Sequence, residues 1–127
     1  MRDLYSNITA VPAIAPAVQS ASVDGAAVDL KDTSRVAFVL NTGAIVSSGD
    51  FSVKVQESDT TTGGDFTDVD TAQVMTSAPA TLEANTAYRF GYTGFKRYVR
   101  LVLTKAGGTS IAAGAVAILD PLDKPVS

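Results

Sequence analysis

Six residues that can do chemistry crowd into the stretch GYTGFKRYVRLVLT at 91–104: Tyr92, Phe95, Lys96, Arg97, Tyr98 and Arg100. Rings at this density can stack on sugars or bases while guanidinium groups donate hydrogen bonds. Arginine and tyrosine are also the residue types that anchor protein interfaces. The competing reading is purely structural: Tyr92 and Phe95 fill a turn, Tyr98 makes a cross-strand pair, and the arginine stems cover apolar surface. The pattern favours this second reading and leaves a protein partner open.

Catalytic constellations are hard to build from what remains. The chain has no histidine, so an acyl-transfer triad lacks the base that titrates near neutrality. No serine or lysine stands in a nucleophile motif. Glu57 and Asp59, two apart at the end of an alternating run, would share a face as a glycosidase pair does, but a polar strand end entering a solvated loop explains them more simply. Asp65, Asp68 and Asp70 offer the oxygens that calcium favours, without the spacing or terminal glutamate of an EF-hand. The glycines of TTGGDF and GTSIAAG have no lysine in phosphate-loop register. The expectation is a non-enzyme with no cofactor and no metal site.

These residues need elements to hold them, and the pattern is one of short strands. In DFSVKVQESD, Phe51, Val53 and Val55 alternate with Ser52, Lys54 and Gln56, a strict period of two. From Arg97 onward, Val99, Leu101 and Leu103 alternate with Tyr98, Arg100 and Val102. SRVAFVLNTG is an almost continuous apolar run, which fits a strand buried on both faces or one carrying small residues outward. A last strand places Ile111, Ala113, Ala115, Ala117 and Leu119 on one face. Asp24-Gly25 reads as a hairpin turn between a strand from Val18 and a return strand at 26–30. Further strands are predicted around Phe66–Val69 and in TAYRFGY, with Gly91 and Gly94 bracketing a turn and Asn41-Thr42-Gly43 ending the SRVAFVLNTG strand. Seven or eight short strands without an amphipathic helix predict an all-β, antiparallel two-sheet sandwich over residues 18–119. Residues 1–17, interrupted by Pro12 and Pro16, read as an extended N-terminal arm whose Leu4, Tyr5, Ile8, Val11 and Ile14 could lie along the domain or along a neighbour. Residues 120–127 read as a C-terminal tail.

Composition narrows the function class. Of 127 residues 46% are hydrophobic and 18% charged, which excludes a disordered chain and leaves apolar surface over for a partner. A net charge of −3 argues against a nucleic-acid partner. Yet no acidic residue lies between Glu83 and Asp120, where Arg89, Lys96, Arg97, Arg100 and Lys105 gather. No apolar run approaches the ~20 residues of a membrane span, and the first residues lack the continuous apolar core of a signal peptide. The expectation is therefore no membrane partner.

The blocks RDLYSNI, VDLKDTSRVAFVLNTG, FSVKVQESDT with FTDV, and YRFGYTGFKRYVRLVLT, closing on a small-residue strand and a proline-containing tail, resemble the small structural proteins encoded among the head genes of tailed bacteriophages and prophages. That resemblance implies a virion component, a capsid decoration or cement protein on the outer surface of the head that binds the major capsid protein and stabilises the shell. A self-assembled homotrimer would match the threefold positions of a capsid. A head-tail connector or tail protein is the alternative within the same gene neighbourhood. RYVRLVLT also resembles a strand of discoidin-type carbohydrate-binding modules, although their tryptophans are missing here.

Overall fold

The computed structural model describes residues 4–122. Strands make up 60% of the chain and form two antiparallel sheets that face each other as a β-sandwich. One sheet, A, has the order β1 (Thr9–Gln19), β10 (Ser110–Pro121), β4 (Thr33–Val46), β8 (Ala87–Tyr92) and β7 (Val74–Thr76). The other, B, has the order β2 (Val23–Asp24), β9 (Tyr98–Gly107), β5 (Asp50–Ser58) and β6 (Thr67–Asp68), with β3 (Val28–Asp29) also pairing with β9. Four of the ten strands are only two or three residues long, which is why the alternation in sequence resolves fewer of them.

The core lies between the sheets and is built from the predicted faces. β4 contributes Val36, Phe38 and Leu40, β8 contributes Tyr88, Phe90 and Tyr92, and β10 contributes Ile111, Ala113 and Ala117. Sheet B answers with Phe51 and Val55 of β5 and with Val99, Leu101 and Leu103 of β9; Val53 is half-buried against them. Leu82 closes the open side from the 77–86 loop, tied there by its amide donating to the Phe51 carbonyl at 2.9 Å. Each large aliphatic or aromatic side chain so buried is worth ~1.5–3 kcal/mol.

Two corners at one end carry the chain between sheets. β4 passes to β5 through Ser47 and Ser48, both at positive φ (49° and 57°), and the Gly49 amide donates back to the Val46 carbonyl at 3.2 Å. β9 passes to β10 through Gly108 at φ 73°, a left-handed conformation that glycine adopts without a Cβ penalty. A Cβ there would also run into the Ser48 backbone, so the two corners are packed on one another.

Several expectations are corrected. Residues 9–17, read as an extended arm lying along the domain or along a neighbour, lie along their own domain: they are most of β1, in register with β10 from Thr9 opposite Leu119 to Gln19 opposite Ile111. Pro12 and Pro16 are tolerated because β1 is an edge strand with register shifts at 12–14 and 14–17, where a missing N–H breaks no ladder. Asp24-Gly25 closes no hairpin; β2 and β3 both pair with β9 (Val23 opposite Leu103, Val28 opposite Val99), and the preceding strand stays in the other sheet. Asn41-Thr42-Gly43 does not end β4, which continues to Val46 with Thr42 buried inside it. Gly91 lies within β8, opposite Ala37 and Met75. At the C-terminal end β10 extends through Pro121, and residues 123–127 of the expected tail, like residues 1–3, lie outside the described residues.

Candidate functional site

The aromatic and basic stretch is divided by the strand alternation, so its members do not meet on one surface. Tyr92, at the end of β8, points into the sandwich and is buried; Phe95, in the β8–β9 turn, is 86% exposed. Tyr98 is half-buried under the Arg97 guanidinium, 5.0 Å from its ring centroid. A flat platform for stacking a sugar or a base is therefore absent among the described residues of this stretch; the rings are dispersed to the core, the turn and the outer face.

The cations are likewise engaged within the molecule. Arg97 grips Asp29 of β3 with both Nε and Nη2 at 2.9 Å. This fork holds the Asp29 carboxyl down at about 2, helped by the Lys31 amide. Lys96 donates from Nζ to Asp59 at 2.9 Å, and the ion pair raises its pKa. Its backbone amide donates to the Tyr92 hydroxyl at 3.0 Å, and that hydroxyl donates to Glu57 at 2.6 Å. Burial, then the Glu57 carboxylate, push the Tyr92 phenol up to about 12. Glu57 and Asp59 thus do point the same way, but toward Tyr92 and Lys96 as anchors for the turn.

Arg100 completes this network on the outer face of sheet B. Its guanidinium stacks 4.3 Å from the Phe66 ring centroid and donates to Gln56 Oε1 at 2.8 and 3.0 Å. Gln56 passes its own N–H to Asp68 at 2.9 Å, and Asp68 also accepts Lys54 at 3.1 Å. The Gln56 and Lys54 donors lower the Asp68 pKa. Asp65 accepts the Thr60 hydroxyl at 2.8 Å and Asp70 accepts the Ala72 amide at 3.1 Å, so the three aspartates serve three separate local contacts.

The other predicted contact residues are divided too. Ile14 is 2% exposed and Val11 is packed against the core, so neither is offered to a neighbour. Leu4 and Tyr5, just before β1, are 66% and 82% exposed, and Ile8 is half-buried.

A different surface emerges from the register of sheet A. Its outward positions form rows across the strands. One row runs Ala10, Ile118, Ala37, Gly91, Met75; the next runs Pro12, Val116, Val39, Arg89. Gly114, Asn41 and Ala87 make a third. Among the described residues, charge enters this face only at Arg89 and at the facing pair Arg35 and Asp120, joined at 2.7 Å at one end of the sheet. Met75 is 64% exposed, and Leu4 and Ile8 line the same groove from the chain start. The sequence carried a signal for this face: β4 and β10 read as nearly continuous apolar runs, the pattern of strands covered on both sides. Composition could not say which side was left bare.

The molecule is thus a β-sandwich with one polar, internally neutralised outer face and one apolar outer face. The crystal structure of the SPBc2 prophage-derived protein YomS has a similar fold, with a TM-score of 0.52 over 88% of this chain and 91% of that chain at 9% sequence identity. No family model and no curated protein matches the chain.

Proposed function

We propose that this chain is a phage-associated structural protein, a capsid decoration protein that sits on the outer surface of the head and stabilises the shell through contacts with the major capsid protein. The observation that carries this reading is the contrast between the two outer faces. On sheet B, Arg97, Lys96, Arg100 and Lys54 are matched to Asp29, Asp59, Gln56 and Asp68. Such side chains are already occupied and offer little to a small substrate. On sheet A, small apolar side chains lie open over several strands, a surface larger than scattered exposed residues produce and of the kind that marks protein contact.

The chemistry of such a protein is cumulative contact. Many copies, each holding a neighbour modestly, add through multivalency, and a sandwich transmits load because its packed core has no soft mode. The sequence blocks resembling phage head proteins and the fold shared with a prophage-derived protein support the phage association. Exposed Leu4, Tyr5 and Phe95 add further contact points at the rim.

The test is particle occupancy. Virions or prophage particles produced with and without this chain are purified and compared by mass spectrometry and by DNA release on heating. The expected result is many copies per head and DNA release at a lower temperature when the chain is missing. A chain found only in the soluble fraction, or particles equally robust without it, would overturn the proposal.

A further inference from the structure

The β7 edge of sheet A combines an open backbone, an apolar groove and an unmatched cation. We propose that it holds an extended segment of another protein, paired antiparallel to β7 and carrying an acidic residue two positions before an apolar one. The inference goes beyond a place on the virion and stands whichever protein supplies the segment.

Backbone polarity is the first argument. β7 is the last strand of sheet A, and no described strand pairs with its far side. The Ser77 amide donates to the Arg89 carbonyl at 3.1 Å and the Thr93 amide to the Gln73 carbonyl at 2.8 Å, so residues 73, 75 and 77 turn their peptide groups toward β8. Val74 and Thr76 turn theirs to the open edge. The Val74 amide is taken by the Thr71 carbonyl in the preceding turn, which leaves the Val74 carbonyl and both peptide groups of Thr76 for an incoming strand. A segment with one residue opposite Thr76 and another opposite Val74 makes three backbone hydrogen bonds there. The other edge of the sheet, β1, is closed to such pairing by Pro12, Pro16 and its register shifts; β7 has neither proline nor bulge.

Side chains supply the second argument, and they set the sequence of the segment. Met75 and Ser77 face outward, in the rows of Gly91 and Arg89. The Met75 methyl lies over Gly91, 3.1 Å from where a Cβ would stand, and this flexible thioether forms one bank of a groove of about 860 Å³ that Leu4 and Ile8 also line. The segment residue opposite Met75 extends that row, so an apolar side chain there packs on the methionine and the groove. The residue opposite Ser77 extends the Arg89 row. Arg89 is exposed, and its guanidinium has no acceptor among the described residues; Asp120, the one carboxylate among the described residues that line the groove, is engaged by Arg35 at 2.7 Å. A glutamate or aspartate opposite Ser77 lies two strand spacings from Arg89, ~10 Å between Cα atoms, a span the two side chains close together. A basic residue there would face a like charge instead, so the outward side of the segment is acidic and apolar.

The probe is the synthetic peptide acetyl-Thr-Glu-Thr-Val-Thr-Thr-amide, titrated into the purified full chain and followed by amide NMR shifts and hydrogen exchange. The expected result is saturable binding at ~100 µM, as weak as so short a contact should be, with shifts centred on residues 74–77 and the Thr76 amide exchanging at least ~10-fold more slowly at saturation. N-methylation of the third peptide residue removes the N–H that meets the Thr76 carbonyl and should weaken binding at least ~10-fold. Thr76→Pro should do the same with unchanged circular dichroism, because the Thr76 amide faces the open edge. Arg89→Glu should bind the glutamate peptide ~10-fold more weakly and recover affinity for the peptide carrying lysine in its place. No binding up to ~1 mM, shifts centred elsewhere, or indifference to N-methylation or to Arg89→Glu would each refute the proposal. If the chain alone is a dimer whose Thr76 amide is already protected, a second copy occupies the edge and the proposal is wrong.

Discussion

Gly25 offers a sharp test of how this sandwich is closed. The residue follows β2 and lies between the sheets: its amide donates to the Leu101 carbonyl of β9 at 2.7 Å, and the next amide, of Ala26, donates to the Ala13 carbonyl of β1 at 2.8 Å. One dipeptide thus ties sheet B to sheet A. Its φ is not in the left-handed range, so conformational freedom is not what the position requires. Space is: a Cβ on Gly25 would stand 2.5 Å from the Leu101 carbonyl oxygen and 2.6 Å from the Ala13 carbonyl oxygen. Carbon and oxygen in contact keep ~3.3 Å, so the segment would have to withdraw by nearly 1 Å. Withdrawal stretches both tethers, and a buried carbonyl or amide left without its partner costs ~1–3 kcal/mol. We expect Gly25→Ala to destabilise by ~2–5 kcal/mol, which for a domain of this size lowers the thermal midpoint by roughly 10 °C or more. The decisive variant is Gly25→Asn. If Asp24-Gly25 formed the left-handed turn that its sequence suggests, asparagine would be tolerated at a cost of a few tenths of a kcal/mol. Under the close-approach account it is at least as damaging as alanine. Urea unfolding followed by far-ultraviolet circular dichroism measures both; an asparagine variant within ~0.5 kcal/mol of the wild type would refute the reasoning.

Two further outcomes follow from groups held inside the fold. The Thr42 hydroxyl accepts the Thr86 amide at 3.0 Å and faces the Glu83 and Thr86 carbonyls at 2.6 and 3.0 Å, so Thr42→Val keeps the shape but strands the 83–86 loop; we expect a loss of ~2 kcal/mol and faster amide exchange at Thr86, and unaltered exchange there would contradict it. Tyr92, with its phenol raised to about 12 by burial and by Glu57, favours the protonated form in the folded state, so its contribution is complete below pH 10 and is lost as pH rises from 10 toward 12. Titration of phenolate absorbance should show a late component that Tyr92→Phe removes, and an identical curve for the variant would assign the shift elsewhere.

The longer strands of the sandwich are legible in the sequence because burial on one face imposes a period of two. Phe51 and Val55, or Val99, Leu101 and Leu103, could hardly be placed otherwise. The pairing of the short strands was not legible, because two residues carry no period that names a partner: Val23 and Val28 read as the two sides of one hairpin, yet each is held by β9. The basic cluster was legible as a cluster but not as a set of ion pairs, since Asp29 lies far from Arg97 in sequence and meets it only when β3 docks beside β9.

The sequence by itself determined that this chain is a β-sandwich, because alternation of apolar side chains is a local property that fixes which face of each strand seeks the core. It also determined that apolar surface would be in excess, through the uncharged runs at 36–40 and 111–119. Only the tertiary structure decided where that excess goes. Pairing β10 between β1 and β4 is a long-range choice, and it alone lines up Ala37, Val39, Val116 and Ile118 on one open face while sheet B turns its charges upon themselves. Register between strands distant in sequence is set by which core they share and not by the residues that end up outside.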